Sequence, residues 1–110
     1  MEEKQKEYKT DIYLISDEPY RELVYDGAEV PFLTQYYDNT IVAYSFSKSL
    51  SLPGERIGYL VIPDEVSDCE AILSAANVAT RILGFVNAPT LQQKTVAGCL
   101  EEEVDLAFYD

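Results

Sequence analysis

The chain contains no histidine. That absence removes every histidine-based catalytic triad and the commonest metal ligand, so acid–base work falls to lysine, tyrosine or carboxylates. Basic residues are scarce too: 8 lysines and arginines stand against 20 acidic residues, giving a net charge of -12. A surface of that sign repels nucleic-acid phosphates and anionic membranes, which argues against a nucleic-acid partner. Only two cysteines occur, Cys69 and Cys99, with neither the density of a disulfide scaffold nor a metal-ligand spacing. They read as reduced, partly buried thiols. No apolar run approaches the roughly 20 residues of a membrane span. The opening "MEEKQKEYK" has no apolar stretch of the signal-peptide kind, so no membrane partner and a cytoplasmic address are expected.

What is present suits a folded domain. The chain has 110 residues, of which 47% are apolar and 25% charged, so one domain can bury a real core. "EEKQKEYK" (2–9) pairs Glu2 with Lys6 at helical spacing and reads as an exposed helix end. "DIYLIS" (11–16) is a short apolar run that predicts a buried strand ending at Asp17, because Pro19 stops it. Residues 21–39 carry turn signals at Asp26-Gly27, Pro31 and Asp38-Asn39, which predict a connection with a short hairpin at most. "TIVAYSF" (40–46) and "IGYLVI" (57–62) predict a second and a third strand. From Asp64, a plausible N-cap, Ile72, Leu73, Ala76, Ala79, Ile82 and Leu83 recur at helical spacing up to Gly84. Pro89 then takes the place of a first helical residue, and Leu91, Val96, Cys99 and Leu100 form a stripe running on into "EEEVDLAFYD". The acidic triplet Glu101 to Glu103 reads as a solvated helix face, and the nine tyrosines as core and rim residues. The fold class is α/β: a partial three-layer sandwich with a mixed sheet of about three strands. The first two strands are expected parallel, and the third, after a tight return loop, antiparallel to the second.

The chemistry concentrates in "SFSKSLSLPGERIG" (45–58). A strand runs into Ser45-Phe46-Ser47-Lys48, the loop turns at Pro53-Gly54, and Arg56 stands just before the next strand. Two hydroxyls and a guanidinium converging at a strand end make a phosphate site, and a lysine beside it can meet whatever the phosphate anchors. In open α/β sheets ligands bind at the carboxyl ends of strands, where both Ser45–Lys48 and Asp17–Tyr20 fall. Taken singly the residues have plainer readings. Lys48 is a solvated charge, Asp17 a turn residue before Pro19, Tyr20 a rim aromatic, and Arg56 a salt-bridge partner.

The stretch resembles the lysine-attachment signature of class I aminotransferases, the pyridoxal-phosphate enzymes of fold type I. Ser45, Ser47, Lys48, Ser51, Leu52, Gly54, Arg56, Ile57 and Gly58 fill its constrained places. Upstream, "DEPY" (17–20) resembles the family's cofactor-ring motif, and the likeness continues through "GFVNAPTLQQ" (84–93). The resemblance implies that Lys48 forms the Schiff base with pyridoxal 5'-phosphate and later moves the substrate proton. It implies that Asp17 pairs with the cofactor's ring nitrogen and Tyr20 donates to its ring oxygen. Ser45, Ser47 and Arg56 would hold the phosphate.

By the same resemblance, residues 1–110 correspond to the latter half of the large cofactor domain. The upstream phosphate loop, the ring-stacking aromatic and the small C-terminal domain have no counterpart in the sequence. The implied reaction moves an amino group between an amino acid, aspartate-type by preference, and a 2-oxo acid. A chain of this extent is expected to transfer little by itself and, with an apolar strand edge exposed, to self-associate as a homo-oligomer. A lyase or synthase of the same fold, or a non-catalytic module binding phosphate or a protein partner, are the alternatives.

Overall fold

The computed structural model describes residues 1–102. Its elements in chain order are α1 (Glu2–Tyr8), β1 (Leu14–Asp17), β2 (Thr40–Ser45), β3 (Gly58–Val61), α2 (Cys69–Ile82) and α3 (Thr90–Cys99). Single 3-10 turns lie at Leu33–Gln35 and Pro53–Glu55. The strands form one sheet in the order β1-β2-β3. β1 pairs parallel to β2 with Asp17 opposite Ala43, and β2 pairs antiparallel to β3 with Ser45 opposite Gly58. The mixed sheet and both strand directions are those the sequence implies.

α1 is joined to the sheet by one side chain. Gln5 Oε1 accepts from the backbone N–H of Ile12 at 2.8 Å and from Asn39 Nδ2 at 2.9 Å. Asn39 Oδ1 in turn accepts from the Ser67 N–H at 2.7 Å, so a single buried amide links the start of β2 to the segment beyond β3. Tyr37 closes the same end by donating its phenol to the Ile12 carbonyl.

The core lies at the other end, under the loop that carries Lys48. Tyr44, Phe46, Ile57 and Val96 are buried together, with Leu50, Leu52 and Ala88 packed against them. Alternation along β2 turns Tyr44 away from the face that shows Ala43 and Ser45. Val96 brings α3 onto the Tyr44 face. α2 meets the opposite face across a cavity of about 510 Å³, lined by Ala43 and Leu60 from the sheet and Leu73 and Ala76 from the helix. Helices on two faces of a sheet make the partial three-layer sandwich. It is an open one. No residue of α2 is buried, Leu73 and Ile82 are 56% and 79% exposed, and every residue of β3 is exposed. The radius of gyration of 16.5 Å exceeds the roughly 13 Å of a compact domain of about 100 residues.

Three local expectations need correction. The long helix starts at Cys69 with Asp68 at its N-cap, and Asp64 does not cap it. Residues 63–68 are used instead in turns that bury Val66, and Asp68 takes a left-handed φ of 55°, tolerable for aspartate. Pro89 is the N-cap of α3, one place before the first helical residue. Residues 21–39 form the expected connection, without a hairpin. The Tyr25–Ala28 turn closes with Asp26 and Gly27 both at positive φ, as a hairpin turn requires. Its flanks do not pair, because the Val30 and Pro31 carbonyls accept from Arg21. Finally, β1 was expected to be a buried strand, yet it buries none of its residues: Ile15 is 67% exposed and Asp17 is exposed as well. The expected continuation of the α3 stripe through residues 103–110 lies outside the described residues.

Candidate active site

The parallel pairing of β1 and β2 brings two chain segments to one rim of the sheet. The ladder runs past β1 when the Glu18 N–H donates to the Ala43 carbonyl at 2.9 Å, which fixes the start of the Asp17–Tyr20 turn. Two residues beyond Ala43, Ser45 ends β2. Asp17 and Ser45 line the cavity beneath α2. Asp17 and Tyr20 also line a second cavity, of about 330 Å³, walled by Arg21, Val30 and Pro31.

The lysine loop is held from below by its apolar residues. The Phe46 N–H donates to the Ile57 carbonyl at 3.1 Å, closing the loop at its neck, and the Leu52 N–H returns to the Phe46 carbonyl at 3.3 Å. Phe46, Leu50, Leu52 and Ile57 face the core, which leaves Ser47 and Lys48 on the rim, each half-buried. The Ser51 N–H donates to the Lys48 carbonyl at 3.0 Å and tightens the turn. Ser51 and Arg56 both sit at positive φ, 52° and 50°, an uncommon backbone for residues other than glycine.

Five of the six residues singled out in the sequence lie on this rim in the expected order. Lys48 Nζ stands 5.1 Å from the centre of the Tyr20 ring. The hydroxyls of Ser45 and Ser47 are hydrogen-bonded at 3.1 Å. Asp17 shares a cavity with each of Ser45 and Tyr20. Arg56 stands apart. It is exposed, and its Nη1 donates to the Pro53 carbonyl of its own turn at 2.8 Å. Among the described residues no hydrogen bond joins its guanidinium to either serine.

Sequence reasoning missed the side chains that hold the rim in place. Tyr44 was absorbed among core and rim tyrosines, yet its phenol reaches both segments. It lies 2.9 Å from Glu22 Oε1 and 2.6 Å from Ser49 Oγ. Burial, opposed by Ser49 and reinforced by Glu22, pushes its ionisation up to about 12. Arg21 donates to Glu18 Oε2 at 2.5 Å, to the carbonyls of Val30 and Pro31, and lies 3.8 Å over the Phe32 ring. The Arg21 hydrogen bond, against the cost of burial and with help from Ser16, holds the Glu18 carboxyl below its ordinary value. The i,i+3 spacing of Glu18 and Arg21 is visible in the sequence, but the carbonyls that complete the guanidinium's shell are not.

Comparisons with known proteins bear on the family of the chain. The family model described as "Aminotransferase class I and II" matches residues 3–107. The (5-formylfuran-3-yl)methyl phosphate transaminase of Methanocaldococcus jannaschii is 35% identical over 101 residues, covering 89% of this chain and 25% of that protein. The aspartate aminotransferase of Pyrococcus horikoshii is 43% identical over 56 residues, covering 50% of this chain and 14% of that one. A solved amino transferase from Eubacterium rectale superposes with a TM-score of 0.90 at 56% identity, over 98% of this chain and 27% of that chain. The matched segments thus cover between 14% and 27% of the length of these three proteins.

Proposed function

Because this chain belongs to the class I and II aminotransferase family, we propose that it carries the lysine side of a pyridoxal-phosphate site serving amino-group transfer between an amino acid and a 2-oxo acid. The observation that carries the reading is the placement of Lys48 Nζ over Tyr20, on the rim that also holds Asp17 and Ser45.

The donor set fits such a cofactor. Two hydroxyls 3.1 Å apart suit a phosphate, and an exposed carboxylate and phenol suit the polar edges of a pyridine ring. When bound, the cofactor supplies an electron sink for the charge released at the substrate α-carbon. The chain's own residues do the rest. Ser45, Ser47 and Arg56 would hold the phosphate, Arg56 with fork N–H groups beyond the one given to Pro53. Asp17 would keep a proton on the ring nitrogen, and Tyr20 would donate its phenol to the ring oxygen. Lys48 would hold the cofactor through its amine, and that amine would take and return the α-proton.

On this reading residues 1–110 belong to the larger, cofactor-binding domain of such an enzyme and act in the cytoplasm. No described helix is long and apolar enough to cross a membrane. An aspartate-type substrate is supported by the likeness to the Pyrococcus horikoshii enzyme. The chain alone transfers little amino group. The open edges of β1 and β3 and the uncovered α2 favour association of copies, so light scattering should find dimers or larger species, and a dilute monomer would refute this part.

The test is to mix the 110-residue chain with pyridoxal phosphate, fix the adduct with borohydride and map the label by peptide mass. Lys48 should be labelled in preference to Lys4, Lys6, Lys9 and Lys94, and Lys48→Ala should lose that site-specific label. Equal labelling of the Lys48→Ala chain would overturn the reading.

A further inference from the structure

The two segments of the rim meet at one phenol oxygen. Glu22 lies two residues beyond Tyr20, and Ser49 is the neighbour of Lys48. Tyr44 carries one hydroxyl proton, so only one of the two contacts can be its donation. The Glu22 carboxylate is an acceptor only, and it takes the proton at 2.9 Å. Ser49 Oγ, at 2.6 Å, then donates to the phenol oxygen. This assignment agrees with the opposite directions in which the two neighbours push the phenol's ionisation, Ser49 down and Glu22 up.

The oxygen cannot swing away. The Tyr44 ring is stacked on Tyr59 with centres 5.1 Å apart, and it meets Phe46 edge-on at 5.4 Å. Its residue is 9% exposed and belongs to the core cluster. A phenol whose ring is held by two others is a rigid post, whereas Glu22 and Ser49 belong to irregular segments with no ladder of their own.

We propose that Tyr44 is a positioning residue whose phenol fastens Glu22 and Ser49 to one point and so sets the approach of Lys48 to Tyr20. The proposal deepens the reading of the rim as a cofactor site and rests on it for its functional meaning. The geometric claim stands apart: Tyr44 acts through its hydrogen bonds to Glu22 and Ser49 and the backbone of residues 20–22 and 48–49.

The experiment reads that geometry without cofactor. Lysine amines of the 110-residue chain are dimethylated with isotopically labelled formaldehyde, and the Lys48 resonance is assigned by its loss in Lys48→Arg. Sitting over the Tyr20 ring, it should be displaced upfield from Lys6, Lys9 and Lys94. Lys4, 5.5 Å over Tyr8, serves as an internal control. Tyr44→Phe keeps the rings and removes the oxygen, and should abolish most of the Lys48 displacement while leaving that of Lys4 unchanged. Glu22→Ala and Ser49→Ala, each cutting one arm, should each lose part of it and decide the matter if Tyr44→Phe does not fold. A Lys48 resonance that stays displaced in all folded variants, or is not displaced in the parent chain, overturns the proposal. A parent chain with displaced Lys48 but no borohydride-fixed label at that residue overturns the cofactor reading alone.

Discussion

Tyr20 offers the face of its ring to the Lys48 ammonium at 5.1 Å, across the gap between two strand ends. The contact joins residues separated in sequence by all of β2 and the connection before it. The parallel register makes it possible by carrying Asp17 level with Ala43. A cation over an aromatic face contributes about 0.5–1 kcal/mol at exposed sites and more where water is excluded.

Tyr20 therefore has two separable parts, a ring that meets Lys48 and a phenol proposed to meet the cofactor. Tyr20→Phe should keep borohydride-fixed labelling at Lys48 while shifting the absorbance of the bound cofactor. Tyr20→Leu should lower that labelling severalfold as well. Identical behaviour of the two variants, scored by peptide mass and absorbance, would remove the distinction.

Gly58 decides whether β3 can lie against β2. A Cβ built there overlaps the Tyr44 carbonyl oxygen and falls 3.0 Å from Ser45 Cα. Both are backbone atoms that cannot turn aside. Gly58→Ala should cost about 1–3 kcal/mol, the usual range for overpacking. Gly98, in α3 with nothing within 4 Å of its Cβ position, should show the opposite sign, since alanine is the better helix former by up to about 1 kcal/mol. Urea unfolding of the two variants tests the pair, and a neutral Gly58→Ala would contradict the close approach of the strands.

High pH should loosen the same neck. Burial keeps Tyr44 neutral to about 12, while an unfolded tyrosine ionises near 10.0. The stability this group contributes is complete below pH 10 and lost as pH rises toward 12. Tyr44→Phe has no proton to lose, so its deficit in melting temperature relative to the parent chain should narrow across that interval. A constant deficit would mean that Tyr44 is not shielded from water.

The sheet was legible because its signals are local. β-branched and aromatic runs bounded by Asp17-Pro19, Pro53-Gly54 and Pro63 give three strands, and the short return loop dictates the antiparallel pair. The rim was legible for the same reason, since Ser45, Ser47 and Lys48 follow a strand end and Asp17 follows another. The rest depends on partners that only the folded backbone brings within reach. Asp26-Gly27 specifies a hairpin turn, but Arg21 captures the carbonyls a second strand would need. Asp64 has the chemistry of a cap, yet burial of Val66 moves the helix start to Cys69. Arg56 has a guanidinium at a plausible spacing, but its left-handed backbone turns it onto Pro53.

The Arg21 contacts make a final prediction about the wall beside Asp17 and Tyr20. One guanidinium gives Nε to Glu18, Nη1 to Val30 and Nη2 to Pro31 at 2.5, 2.8 and 2.9 Å, with its plane on Phe32. A lysine has neither the fork nor the flat face, so Arg21→Lys should behave almost as Arg21→Ala. Hydrogen bonds to charged groups contribute roughly 1.5–3 kcal/mol each, so losing them should speed proteolytic cleavage within residues 24–31 by tenfold or more. Acid should do the same. Glu18 is held below its ordinary 4.5, so the stability it contributes is present above that pH and lost as pH falls through its folded value. Cleavage by an acid protease should rise through that range in the parent chain and stay flat in Arg21→Ala. A parent chain cleaved as fast as Arg21→Ala at neutral pH would show that the guanidinium does not hold the wall.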